Sequence, residues 1–153
     1  MLLPPHERLA AYHAAVAFTA IAARLRACLP DPHPLGAALS AKAAVIERQI
    51  ALGSGDPAAE RRLGFCQRAR RAAVDCVTIV ATLDRRGAAE RGLVTAAVQQ
   101  LCPILVWLTR SCLRLRALVD GVADEALGRT ERRGFAKTGT CGRSRGCGGG
   151  SPA

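Results

Sequence analysis

Aromatic residues make up only 3% of this 153-residue chain, with three Phe, one Tyr and one Trp. That scarcity excludes a ring-filled core and leaves no platform on which unpaired bases could stack. Nucleotide-binding loops are missing as well. The stretch IALGSGDPAAERR, Ile50 to Arg62, contains a GSG, but no strand precedes it and no Gly-Lys-Ser/Thr closes it, so neither a phosphate loop nor a dinucleotide fingerprint is present. It reads better as a helix hairpin: Gly53 in a left-handed position past one helix, Asp56 accepting from the free N–H groups of the next, Pro57 at its first position and Glu60 in its first turn. Long apolar runs are absent too. The longest, LCPILVWL from Leu101 to Leu108, falls short of the ~20 residues of a spanning helix. MLLPPHERLAAY lacks the pattern of a secretory leader, so a soluble cytoplasmic protein with no membrane partner is expected.

Catalytic constellations are lacking in the same way. The di-iron pattern Glu-x-x-His fails, because Glu7, Glu47, Glu60 and Glu90 are followed three positions later by Ala10, Ile50, Leu63 and Leu93. His6, His13 and His33 have no nucleophile or orienting carboxylate at a useful spacing and read as surface or capping residues. Seven cysteines are present, but Cys66 and Cys76, like Cys102 and Cys112, are ten apart, which on a helix separates each pair by ~15 Å. Together with Cys28 they read as small buried hydrophobes, while Cys141 and Cys147 in CGRSRGC invite oxidation rather than zinc binding. No catalytic residue, metal, cofactor or small-molecule substrate is expected, and the chain is not expected to be an enzyme.

What is there is apolar spacing of helical period. Half the residues are hydrophobic, supplied by Ala, Leu, Val, Ile and Cys, a mixture suited to closely packed helices. One helix is expected from about His6 to Leu29, with Leu9, Tyr12 and Val16 on one line and Phe18, Ile21, Leu25 and Leu29 on another. The prolines of PDPHP, Pro30 to Pro34, end it. A second spans Leu35 to Leu52 on Leu39, Ala43, Ile46 and Ile50. A third spans Pro57 to Asp84 on Cys66, Ala69, Ala73, Cys76, Val80 and Leu83, a bundle seam. After a turn at RRGAAERG, a fourth runs to Ala126, with Ala97, Leu101, Ile104, Leu108, Cys112, Leu115, Val119 and Val122 inward and a kink at Pro103. The expected fold is an all-α, antiparallel up-down-up-down four-helix bundle over residues 1–127, followed by a disordered Gly/Arg-rich basic tail over 128–153.

The formal charge is +10, divided as +5 on residues 1–127 and +5 on the last 26, and 20 of the 22 cations are Arg. A polyanionic partner is one reading of that charge; a GC-rich coding sequence, which favours Arg, Ala and Gly, is the other. Arg61, Arg62, Arg68 and Arg71 form a candidate ridge on the third helix, and Arg110, Arg114 and Arg116 another on the fourth. An ordinary solvated face is the alternative for both. Val106, Trp107 and Leu113 lie off the main seam of the fourth helix and are the candidate oligomer interface.

The second and third helices carry a family resemblance. Gln49, Ile50, Ala51, Leu52 and Gly53 stand where the family has Asn-Ile-Ala-Glu-Gly. The run Phe65, Cys66, Gln67, Arg68, Ala69, Arg70, Arg71, Ala72, Ala73, Val74, Asp75 and Cys76 stands where it has an aromatic-rich approach to Ala-Arg-Gly-Ser, then an acid and often Cys. With LAAYHAAVAF near the start, residues 7 to 118 resemble the four-helix bundle proteins first recognised as 23S rRNA intervening sequence proteins, relatives of the accessory variability determinant of diversity-generating retroelements. Gln49, Leu52, Arg71 and Ala72 depart from the family pattern. The resemblance implies a homo-oligomer, often a pentamer, and for the retroelement branch a basic surface that engages RNA or DNA and a reverse transcriptase. It transfers no catalytic residue. The expected function is therefore a non-enzymatic oligomeric bundle that binds nucleic acid or a nucleoprotein through its arginines. The alternative is a purely structural or protein-interaction bundle.

Overall fold

The computed structural model describes the backbone of residues 5–135 and the side chains of residues 9–121. Within them the chain is all-helical, with no strand: α1 Pro5–Ala27, α2 Pro34–Gly55, α3 Ala59–Arg85 and α4 Arg91–Phe135. Two compact units divide it, one up to Val119 and one from Asp120, where the described part is the last stretch of α4. That helix passes Gly128, where the tail was expected to start; residues 136–153 of the expected disordered tail lie outside the described residues.

One apolar core joins the four helices of the first unit. Phe18, Leu25, Leu39, Ile46, Leu83, Leu101, Ile104 and Leu108 are its largest fully buried side chains, and Ala15, Ala22, Ala43, Ala69, Ala73 and Ala97 fill the narrow places between them. Burying each large aliphatic group contributes about 1.5–3 kcal/mol before chain entropy is set against it. The seams read from α2 and α3 are all buried: Leu39, Ala43, Ile46 and Ile50, and Cys66, Ala69, Ala73, Cys76, Val80 and Leu83. In α1 the buried line is Ala11, Ala15, Phe18, Ala22, Leu25 and Leu29, while Leu9 and Val16 face outward. In α4 the inward residue between Leu108 and Leu115 is Ser111, and Cys112 is only partly buried. The step from 108 to 111 keeps the stripe on the core side, whereas 112 drifts toward α3.

The helix ends differ from the expected hairpin in one respect. Gly53 is not left-handed. α2 continues through Gly55, and a Cβ at Gly53 would stand 3.3 Å from Phe65 Cβ, so this glycine lets α2 and α3 approach closely. The chain turns at Asp56, whose extended backbone (φ −83°, ψ 127°) suits a residue followed by proline. Asp56 Oδ1 accepts from the Ala58 N–H at 2.8 Å, as expected, although α3 begins at Ala59 and leaves Pro57 outside it. The left-handed glycine is Gly87 (φ 62°), after α3: Ala88 N–H donates to Leu83 O and Gly87 N–H to Asp84 O, the paired closure that satisfies a helix's last carbonyls.

α4 runs on through Pro103. Taken as a helix rather than as an apolar run, Arg91–Gly121 is long and apolar enough by length and composition to cross a membrane, with mean hydropathy 1.5 and a third of its most apolar window buried. The apolarity has a source within the first unit, since Leu93, Ala97, Leu101, Ile104, Leu108 and Leu115 lie in the core.

Candidate nucleic-acid interface

The seven arginines singled out in the sequence fall on different surfaces. Two belong to the seam between α2 and α3, where charges find partners. Arg61 Nε meets Asp56 Oδ2 at 2.8 Å, and that hydrogen bond, with the Ala58 N–H second, holds the Asp56 carboxyl below its ordinary value. Arg68 Nε donates to Gln49 Oε1 at 3.0 Å while its guanidinium lies 5.0 Å from the centre of the Phe65 ring, a cation–π contact. Further along the same seam Lys42 Nζ and Asp75 Oδ2 are 2.6 Å apart. Arg62 instead lines a small cavity with Ile50, Gly53, Cys66, Trp107, Ser111 and Leu115.

The seam between α3 and α4 is different. Arg70, which sequence reasoning left out of the ridge, donates from Nε to Thr109 Oγ1 at 3.3 Å and so brings the α3 cations to α4. Arg116 is seven residues beyond Thr109 and shares its face; Arg110 and Arg114 are turned from it by about 100° and 140°. Burial raises the Cys112 thiol pKa, while Arg70 and Arg116 both pull it back, which places those two cations around one sulfur. Arg71, Arg110, Arg114 and Arg116 are exposed, and with Arg70 they form no ion pair among the described residues. The nearest acids along these helices are Asp75, one turn beyond Arg71 and held by Lys42, and Asp120, one turn beyond Arg116; none occurs from Arg61 to Val74 or from Arg91 to Val119. The arrangement presents unneutralised positive charge on adjacent helices.

Apolar groups share this outer surface. On α4, Val98, Val106 and Leu113 are exposed, Leu113 by 67%, and on α3 Val74 and Val77 join them. Trp107, grouped with Val106 and Leu113 in the sequence, is turned about 100° from Val106 and packs against the core.

The remaining chemistry is sparse. Cys66 and Cys76 are buried, and burial pushes their thiols up to about 11 and about 12; Cys28 and Cys102 are exposed rather than interior. His13 is exposed, and His33 stands at the N-cap of α2. Among the described residues no group of three or more His, Cys, Asp or Glu could hold a metal ion. A hollow of about 680 Å³ is an open concavity at the α1–α2 turn lined by Arg26, Asp31, His33 and the three prolines around them. No family model and no curated protein matches this chain.

Proposed function

We propose that this chain is a non-enzymatic helical bundle that binds nucleic acid, or a nucleoprotein, through the arginines of α3 and α4. The observation that carries the reading is the contact of Arg70 with Thr109 between α3 and α4, with Arg116 on the face of Thr109, Arg110 and Arg114 exposed further round α4, and Arg71 exposed on the outward face of α3. Phosphate contacts made by such cations release counterions and require no particular base sequence. With few aromatics available, binding is electrostatic rather than base-stacking. A salt titration of RNA and DNA binding by the full chain tests it: affinity falls steeply as salt rises, and no measurable binding near 50 mM salt would sink the idea.

The finer architecture we infer is up-down-up-down. Its support is the register of contacts: Thr19 with Glu47, Gln49 with Arg68 and Lys42 with Asp75, and Arg70 with Thr109, pairs in which one partner's number falls as the other's rises along the α2–α3 seam. Kinship with the intervening-sequence and retroelement accessory proteins rests on the motifs of α2 and α3. In that setting the chain assembles as a homo-oligomer, and a reverse transcriptase is the protein partner.

A second reading is favoured by Val98, Val106 and Leu113, which give α4 an outward apolar face. In it the bundle is a protein-interaction module and the arginines only solvate its rim. Native mass separates the two when combined with the salt titration: loss of assembly in Leu113→Glu without any nucleic-acid affinity in the parent supports the second.

A further inference from the structure

Ser111 is the one buried polar residue among the described residues, 1% exposed in a stripe otherwise made of Leu, Ile and Ala. Its Oγ and the Nε1 of Trp107, one turn earlier on α4, are both shielded from solvent and without a hydrogen-bond partner among the described residues. Both residues line the same cavity of about 10 Å³, where α2 contributes Ile50, Gly53 and Ser54, whose hydroxyl donates to Ile50 O, α3 contributes Arg62 and Cys66, and α4 adds Leu115. A buried donor left empty loses its hydration and gains nothing in return. Two such groups on residues lining one hole point to an occupant.

We propose that this cavity is a binding site for a single ordered water molecule, which accepts from the Trp107 indole N–H and donates to Ser111 Oγ. Size selects the occupant. A hole of this volume is about one water probe, too small for a sulfate or phosphate group and tight for a halide. Chemistry agrees, because indole only donates whereas a hydroxyl both donates and accepts, and water bridges that pair without a charge to neutralise. Arg62 lines the same hole and offers further N–H donors, which brings the water to the three or so partners usual for buried waters. The Cys66 thiol, with its pKa near 11, stays protonated and adds no negative charge. The water therefore ties α4 to Arg62 in the first turn of α3, and it fixes the ring of the chain's single Trp.

Because that Trp is single, its indole N–H gives one resonance in the nitrogen-15-labelled full chain. The expected result is a cross-peak between this proton and water with the sign of a contact outlasting molecular tumbling. In Ser111→Val, whose methyl groups fill the hole, the cross-peak disappears while helicity is retained. Absence of the cross-peak in the parent protein overturns the proposal, whether or not the variant folds. So does saturable quenching of Trp107 fluorescence by bromide, which would assign the hole to an anion.

Discussion

Two seams flank α3, and they treat charge in opposite ways. Between α2 and α3, Arg61 has Asp56, Arg68 has Gln49 and the Phe65 ring, and Lys42 has Asp75. Between α3 and α4, Arg70 has only the neutral hydroxyl of Thr109, and Arg110, Arg114 and Arg116 are exposed on α4 without an ion pair among the described residues, while Arg71 is exposed on the outward face of α3, about 100° round the helix from Arg70. Self-repulsion on such a surface works against folding, so the unpaired seam is the one whose charge calls for an external partner.

Reversing that charge gives the largest expected effect. Replacing Arg70, Arg110, Arg114 and Arg116 together with Glu lowers polyanion affinity on the order of 100-fold or more at low salt and flattens the salt dependence. Replacing Arg61 with Gln changes affinity by less than about threefold, since Asp56 already pairs with that guanidinium. Fluorescence anisotropy on labelled RNA and DNA, with helicity measured alongside, checks both. Equal losses would erase the distinction between the seams.

Thiol reactivity sharpens the comparison from within. Cys76, buried beside the α2–α3 seam, has its pKa pushed up to about 12, first by burial and then by Asp75, with Lys42 opposing. Cys112, at the α3–α4 seam, is raised by burial but lowered by Arg70 and Arg116. Alkylation followed by peptide mass therefore proceeds at least about tenfold faster at Cys112 than at Cys76, after the exposed Cys28 and Cys102 have reacted. Arg70→Gln with Arg116→Gln slows Cys112. The raised thiols also set an alkaline limit. Unfolded thiols ionise near their ordinary value while those of folded Cys66 and Cys76 stay protonated up to about 11 and about 12, so stability is intact below about pH 9 and declines as pH rises toward those values. Urea midpoints measured across that range fall less steeply in Cys76→Ala.

The contrast between the seams was only half legible in the sequence. Periodicity alone identified the α2 and α3 cores, because Leu39 to Ile50 and Cys66 to Leu83 each keep an unbroken step of three or four. It could not say which helix flanks which side of α3. Arg61, Arg62, Arg68 and Arg71 therefore read as one ridge, although Asp56 engages Arg61, Gln49 engages Arg68 and Arg62 lines a cavity; Arg70 carries no local signal, because its importance comes from Thr109, 39 residues away. Ser111 escaped for a related reason. A serine next to a cysteine in an apolar stripe is ordinarily the outward one, and only the packing of α2 and α3 against α4 turns it inward. Gly53 was noticed, but its value lies in the approach of Phe65, a tertiary fact invisible to local turn rules.

Within the paired seam, the Lys42–Asp75 contact is a modest contributor despite its 2.6 Å length. Both side chains keep about two-fifths of their exposure, 43% and 41%. A double-mutant cycle with Lys42→Met and Asp75→Ala yields a coupling of about 0.5 kcal/mol that shrinks as salt is added. A coupling several times larger would mean that this seam is held by its charges rather than by Ala43, Ala69 and Ala73 packed beneath them.

The smallest effect belongs to Asp56, at the start of the same seam. Its carboxylate is held below the ordinary value by the hydrogen bond from Arg61 and by the Ala58 N–H, so the folded state binds that proton less readily than the unfolded chain. By linkage the stabilisation is complete above the unfolded carboxylate's pKa and is lost as pH falls through the depressed folded value. Asp56→Asn keeps an oxygen for Ala58 but cannot pair with Arg61 as an anion. Its stability lies slightly below the parent's at neutral pH, and the difference narrows as acid protonates Asp56 in the parent. A difference that stays constant with acidification would show that the turn between α2 and α3 depends on the geometry of the Asp56 hydrogen bond to Ala58 and not on its charge.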